Sequence, residues 1–268
     1  AAEAGGHRRR AAAMQHNLAV IERASGRRDA AVRCVHASLA GYRALGDEAG
    51  EAMGLTTLSM LSWDARDLAG AIALQKEALA LCDRHGLDRT RTVVLSNLAA
   101  LSIETGDRAG ARAFGGRALA IAEATGNRHF IAWMRLQFSQ IAIAEGDLET
   151  ARREMRTSLQ TGLSMGRTPA LLESFATFAL LLDAQGERVA ARRVLGFVVA
   201  HPLMALPDAA TMRGQLEAWQ DPQRPDPPWP GLDADTLAQR IVAETPLAYA
   251  PLLALLRDGA GPGEAEAG

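Results

Sequence analysis

Six histidines are the first residues whose chemistry has to be weighed: His7, His16, His36, His85, His129 and His201. No two stand four apart, and none has a carboxylate spaced to complete a zinc site. Cys34 and His36 are two apart, which on a helix sends them to different faces. The two cysteines, Cys34 and Cys82, lie in separate Ala-rich segments and make neither a CxxC pattern nor a disulfide framework. They read as buried free thiols in a reducing, cytoplasmic setting. Lys76 is the only lysine, which removes most routes to Schiff-base or lysine-nucleophile chemistry. There is no GxSxG elbow, no Gly-rich phosphate cradle and no paired-carboxylate motif. The expectation is therefore no catalysis, no cofactor and no metal.

Two basic clusters remain, His7-Arg8-Arg9-Arg10 and Arg152-Arg153 with Arg156. Either could meet a phosphate. Glu145, Glu149 and Glu154 accompany the second, so a solvated helix face accounts for it. With 31 acidic and 29 basic side chains the 268-residue chain carries a formal charge of −2, which supplies no general attraction to nucleic acid or anionic lipid. No run of 18 apolar residues is present, and the N-terminal stretch is not a convincing secretory signal. No membrane and no direct nucleic-acid partner is expected. The chain starts without Met, as a fragment or a processed form would.

The elements that position these residues follow from an internal repeat. Gly46, Gly86, Gly126 and Gly166 are spaced by forty, and so are Gly106, Gly146 and Gly186, with Gly26 in phase and Arg66 where Gly is expected. Ala31, Ala71, Ala111, Ala151 and Ala191 keep the same step, as do Leu39, Leu79, Leu119, Leu159 and Val199. Leu18, Leu58, Leu98, Phe138 and Phe178 hold a further phase. The glycines punctuate each unit twice, at positions suited to the left-handed end of a helix. The acid that follows, as in Gly106-Asp107 and Gly146-Asp147, suits the cap of the next helix. The 54 alanines and the low aromatic content, 4%, favour helix throughout.

Each unit thus reads as two antiparallel helices: 8–24 with 28–44, 48–64 with 68–84, 88–104 with 108–124, 128–144 with 148–164, and 169–184 with 188–201. The alanine series lets the two helices pack closely, and the Leu/Phe series fills the space between units. Gly115-Gly116, mid-helix in this register, reads as a close helix approach. No hairpin buries its apolar face alone, so the five stack over 8–201 into an all-α, right-handed superhelical solenoid. A capping helix is expected within 202–220, a Pro-rich linker over 221–231, short helices at 233–243 and 247–257 within a 232–258 segment, and a disordered tail at 259–268. Leu237, Ile241, Leu252, Leu255 and Leu256 are the expected covering residues.

The pattern running from Leu95 and Leu98 through Gly106-Asp107 and Ala111 to Ala118-Leu119 resembles the tetratricopeptide repeat, here forty residues long rather than about 34. The longer unit is similar to the arms of large bacterial LuxR or maltose-activator-type regulators and related signal-transducing ATPases. That resemblance implies a binding module whose concave face, lined by the first helices, takes a protein or peptide segment or a small effector. Matched by register, it implies Met53, Thr56, Met60, Trp63, Arg89, Ser96, His129, Trp133, Gln137 and Gln140 as site residues. Met60, Trp63 and Trp133 would be the apolar anchors; Arg89, Gln137 and Gln140 would orient polar groups. It implies too a sensor or regulatory arm in signalling or transcription, with a covalently linked N-terminal ATPase or DNA-binding module outside this chain. The alternative is a standalone adaptor or self-associating scaffold, which brings a homo-oligomer.

Overall fold

The computed structural model describes residues 2–166, 168–202, 206–219, 231 and 233–243. Among them are twelve helices and no strand, so the chain is an all-α helical repeat. It divides into two compact units, Ala1–Gly126 and Asn127–Gly268. The first holds α1 (Ala2–Ala24), α2 (Arg28–Leu45), α3 (Glu48–Asp64), α4 (Leu68–His85), α5 (Asp88–Glu104) and α6 (Arg108–Ala124). The second holds α7 (Arg128–Glu145), α8 (Leu148–Met165), α9 (Thr168–Ala184) and α10 (Arg188–Ala200), followed by α11 (Leu206–Trp219) and α12 (Ala234–Ala243). Helices pack in consecutive pairs, α1 with α2 through α9 with α10. Nine of the ten repeat helices begin within one residue of the expected start. The exception is α1, which extends six residues further toward the N-terminus.

The punctuation works as the residue types require. Gly46, Gly86, Gly126, Gly146 and Gly166 all take positive φ, between 61° and 78°. Arg66, where the register expects Gly, is left-handed as well, with φ 64°. A β-carbon makes that conformation costly; its guanidinium pairs with Glu104, which offsets part of the cost. Asp67, Asp107 and Asp147 cap their helices, accepting from the N–H three residues on at 2.9, 2.9 and 3.0 Å. Asp47 and Asn127 cap in the same way after the other Gly series. Arg27 has no acceptor to offer, and Glu187 makes no such bond.

Small residues set the spacing inside each pair. The alanine series from Ala31 to Ala191 is fully buried. Ser59 and Ser139 sit two register steps apart in equivalent first helices and donate to the carbonyls of Ala71 and Ala151 at 2.9 and 2.8 Å. Glycines divide into two kinds. A β-carbon on Gly50 would stand 2.3 Å from the buried Tyr42 ring, whereas one on Gly116 would meet nothing within 4 Å. Gly116 is thus no close approach, whereas Gly115 beside it is buried. Gly116→Ala is expected to stabilise the protein by about 0.5–1 kcal/mol through helix propensity. Gly50→Ala is expected to destabilise it by about 1–3 kcal/mol, overpacking outweighing the same propensity gain. Urea midpoints for the two variants, moving in opposite directions, check this.

Gln75 is fully buried, and neither its amide nitrogen nor its oxygen has a hydrogen-bond partner. The equivalent positions hold Val35, Gly115, Met155 and Leu195. A buried unpaired polar group costs about 1–3 kcal/mol. Gln75→Met, which keeps the volume and takes the residue the register uses at 155, is therefore expected to raise stability by about 1 kcal/mol or more. A higher urea midpoint at unchanged slope is the check.

In the first unit, successive hairpins are keyed to each other by charge. Arg23 holds Asp64 through two hydrogen bonds of 2.6 and 3.0 Å, and one step on Trp63 donates its indole N–H to Glu104. On the outer side, Arg43 meets Glu51 at 2.6 Å and Glu77 at 3.5 Å. Forty residues later the signs invert: Asp83 meets Arg91 at 3.3 Å and Arg117 at 3.5 Å. Exposed pairs of this kind contribute about 0–1 kcal/mol each. Their larger consequence is selectivity, because a hairpin docked one joint out of place would set Arg43 against Arg91 and Arg117.

The second unit is closed by hydrophobic cover. Phe175, Phe178, Leu181, Leu182, Val194 and Val198 form the centre of its core, and α12 adds Leu237, Ala238 and Ile241, all fully buried. Helix α12 packs on α8 and α9, and α11 packs on α10. Arg192 donates to the Trp219 carbonyl at 2.8 Å, tying the end of α11 down. Leu237 and Ile241 are thus buried where cover was expected. Leu252, Leu255 and Leu256, the 247–257 helix, most of the 221–231 linker and the 259–268 tail lie outside the described residues.

Candidate functional site

The second unit brings a group of the expected residues together. Along α7, His129, Trp133, Leu136 and Gln140 recur at helical spacing and share one face. His129 and Trp133, with Leu136, line a shallow recess that opens to solvent. Ser158 from α8 and Glu173 from α9 complete it, and Ala132 and Ala170 line it as well. The helix pairing explains the juxtaposition: α7 packs directly on α8 and also touches α9.

Its chemistry is mixed. Trp133 is half-buried and held by the Phe130 ring, centroids 6.1 Å apart; Phe130 meets the His129 ring at 5.6 Å. The Ser158 hydroxyl lies 3.2 Å from that of Ser174. An imidazole and a carboxylate thus share the lining with an indole and two alanines. It is a shallow surface depression, not an enclosed cavity.

The other two expected residues of this unit are placed differently. Gln140 is half-buried and donates to Thr177 Oγ1 at 3.1 Å, joining α7 to α9. Gln137 is only 8% exposed. In the first unit, Met53 is 45% exposed and Met60 half-buried; Arg89 is exposed. Trp63 is half-buried with its N–H engaged by Glu104. Thr56 and Ser96 are buried, their hydroxyls donating to the carbonyls of Ala52 and Thr92 at 2.9 and 2.7 Å. Short side chains at that position let the neighbouring first helices close over it, α1 on α3 and α3 on α5. His16, one step earlier, is buried too, and burial pushes its imidazole below the ordinary value.

Ser158 and Ala170 are recess residues that the register did not indicate. The sequence reading confined the face to first helices, whereas Ser158 is on a second helix. Glu104 was missed as well; its only signal was an acid one residue after the Trp63 position of the next repeat.

Cys82 is buried, and its thiol is pushed up to about 11, chiefly by desolvation. It is held protonated at neutral pH and is a poor nucleophile. Among the described residues no three His, Cys, Asp or Glu side chains are grouped to hold a metal ion, and no helix is long and apolar enough to cross a membrane.

Residues 92–129 match a family model described as a tetratricopeptide repeat. The match runs from α5 into the start of α7, one full turn of the forty-residue register. No curated protein matches the chain.

Proposed function

We propose that this protein is a non-catalytic peptide-binding module, and that the recess between His129, Trp133 and Glu173 seats an anchoring side chain of its partner. The tetratricopeptide match supports a protein-interaction role. The recess itself carries the choice of site, because it sets an aromatic wall beside polar rim groups. Large apolar anchors entering such pockets commonly dominate peptide and protein binding energies. Thr56, Ser96 and Gln137 support the helices from within.

The test uses peptides selected from a random-sequence display library against the full chain, then titrated by calorimetry. Selection of sequences sharing one large apolar residue, bound with a Kd that responds to changes at Trp133, supports the assignment. Selected peptides that bind with no dependence on Trp133, His129 or Glu173 would overturn it.

The same reading places the module in the regulatory arm of a larger signalling or transcription protein, where occupancy of the recess is passed on through the stacked hairpins. The forty-residue length of the repeat supports this. An immunoblot of the source cells with an antibody to this region distinguishes it from a standalone adaptor: a band far above 28.4 kDa supports the arm, and one at that mass excludes it.

A further inference from the structure

Helix α1 leaves open a face that its counterparts bury. Met14, Leu18 and Ile21 are 71%, 41% and 56% exposed. In α5, two register steps on, the same three positions are Val94, Leu98 and Leu101, all buried, and in α3 Leu61 is buried as well. There the covering groups come from the preceding hairpin: α2 packs on α3 and α4 on α5. The α2 side chains Leu39 and Tyr42 reach as far as the Gly54 and Gly50 backbones of α3.

A second observation lies just upstream. Gly6 falls in the forty-residue series of Gly46, Gly86, Gly126 and Gly166, the residues that end each second helix. Yet Gly6 lies inside α1, which has 23 residues where α3 and α5 have 17. The register thus sets a helix-ending glycine within a first helix. The positions that make charged joints elsewhere hold Ala11, Ala24 and Ala37 here, equivalent to Glu51, Asp64 and Glu77. A joint on this face would be made by apolar packing alone.

We infer that the Met14–Leu18–Ile21 face is a repeat-to-repeat interface whose occupant is a helical hairpin of the same forty-residue type, entering α1 in register at Gly6. The hairpin α7–α8 is the suitable probe, because its own joint positions, Ile143 and Leu163, are uncharged. A copy of residues 127–165 joined directly ahead of Gly6 continues the register. In a Cys34→Ser background, Leu18→Cys reports on the face through its rate of modification by a maleimide. The fusion is expected to slow that rate at least tenfold relative to the chain without it, and to raise Tm by about 3 °C or more. Introducing Ile21→Asp should abolish the Tm gain in the fusion while leaving Tm of the parent chain nearly unchanged. A second fusion, with a copy of residues 47–85, covers the event that the first hairpin does not fold there.

Unchanged maleimide rates in both fusions would overturn the inference. So would a dimer of the parent chain, seen by sedimentation equilibrium, that Ile21→Asp returns to monomer, since a second copy would then be the occupant. Neither result bears on the Trp133 recess, so failure here leaves the peptide-binding assignment standing.

Discussion

Trp133→Ala is expected to weaken the binding of library-selected peptides by about thirtyfold or more, which corresponds to roughly 2 kcal/mol. The indole forms one wall of the recess, and its loss removes apolar contact area without leaving a buried polar group behind. Trp133→Phe should recover a large part of the affinity, because the ring face is retained. His129→Ala and Glu173→Ala should cost less, since polar groups at the rim of an interface contribute little to its affinity. Calorimetric titration of one peptide against the four variants checks the order. Far-UV circular dichroism at the working temperature guards against a trivial cause, because the indole also contacts Phe130 at 6.1 Å. Equal affinity for wild type and Trp133→Ala would remove the recess from the binding site.

The largest effect on stability is expected from Phe175→Ala. Phe175 is fully buried at the centre of the second unit and packs edge-on against Phe197, centroids 6.2 Å apart. Deleting a buried phenyl ring costs about 3–5 kcal/mol, from lost transfer energy and from the cavity left behind. Helices α9 and α10, which carry these two rings, should lose most of their protection in native-state hydrogen exchange. Exchange resolved by helix is a sounder readout than one melting temperature, because it reports where protection is lost. Undiminished protection in α9 and α10 would mean that the core repacks around the gap.

The contrast between these two residues shows what can be read from a forty-residue period. Phe175 was not singled out by any series, yet its neighbour Phe178 was, and both face the same core. Burial along a repeat helix is periodic, so the register predicts it. Exposure is a different matter. Thr56, Ser96 and Gln137 occupy positions that the resemblance assigns to a binding face, and all three are buried. Whether a first-helix position is open depends on how closely adjacent first helices approach, which the period does not encode.

The sequence by itself determined the local and periodic features of this protein. These include helix ends at glycines able to take positive φ, caps at Asp67, Asp107 and Asp147, and alanines wherever paired helices touch. Such features follow from a residue's own backbone preferences and from neighbours at fixed spacing, so they recur with the repeat. Tertiary structure alone decided the rest. It set Ser158 and Glu173 around Trp133, joined Trp63 and Arg66 to one carboxylate of Glu104, and left Gln75 without a partner. Each of these depends on side chains that meet across different helices, where the distance is fixed by packing and not by position along the chain.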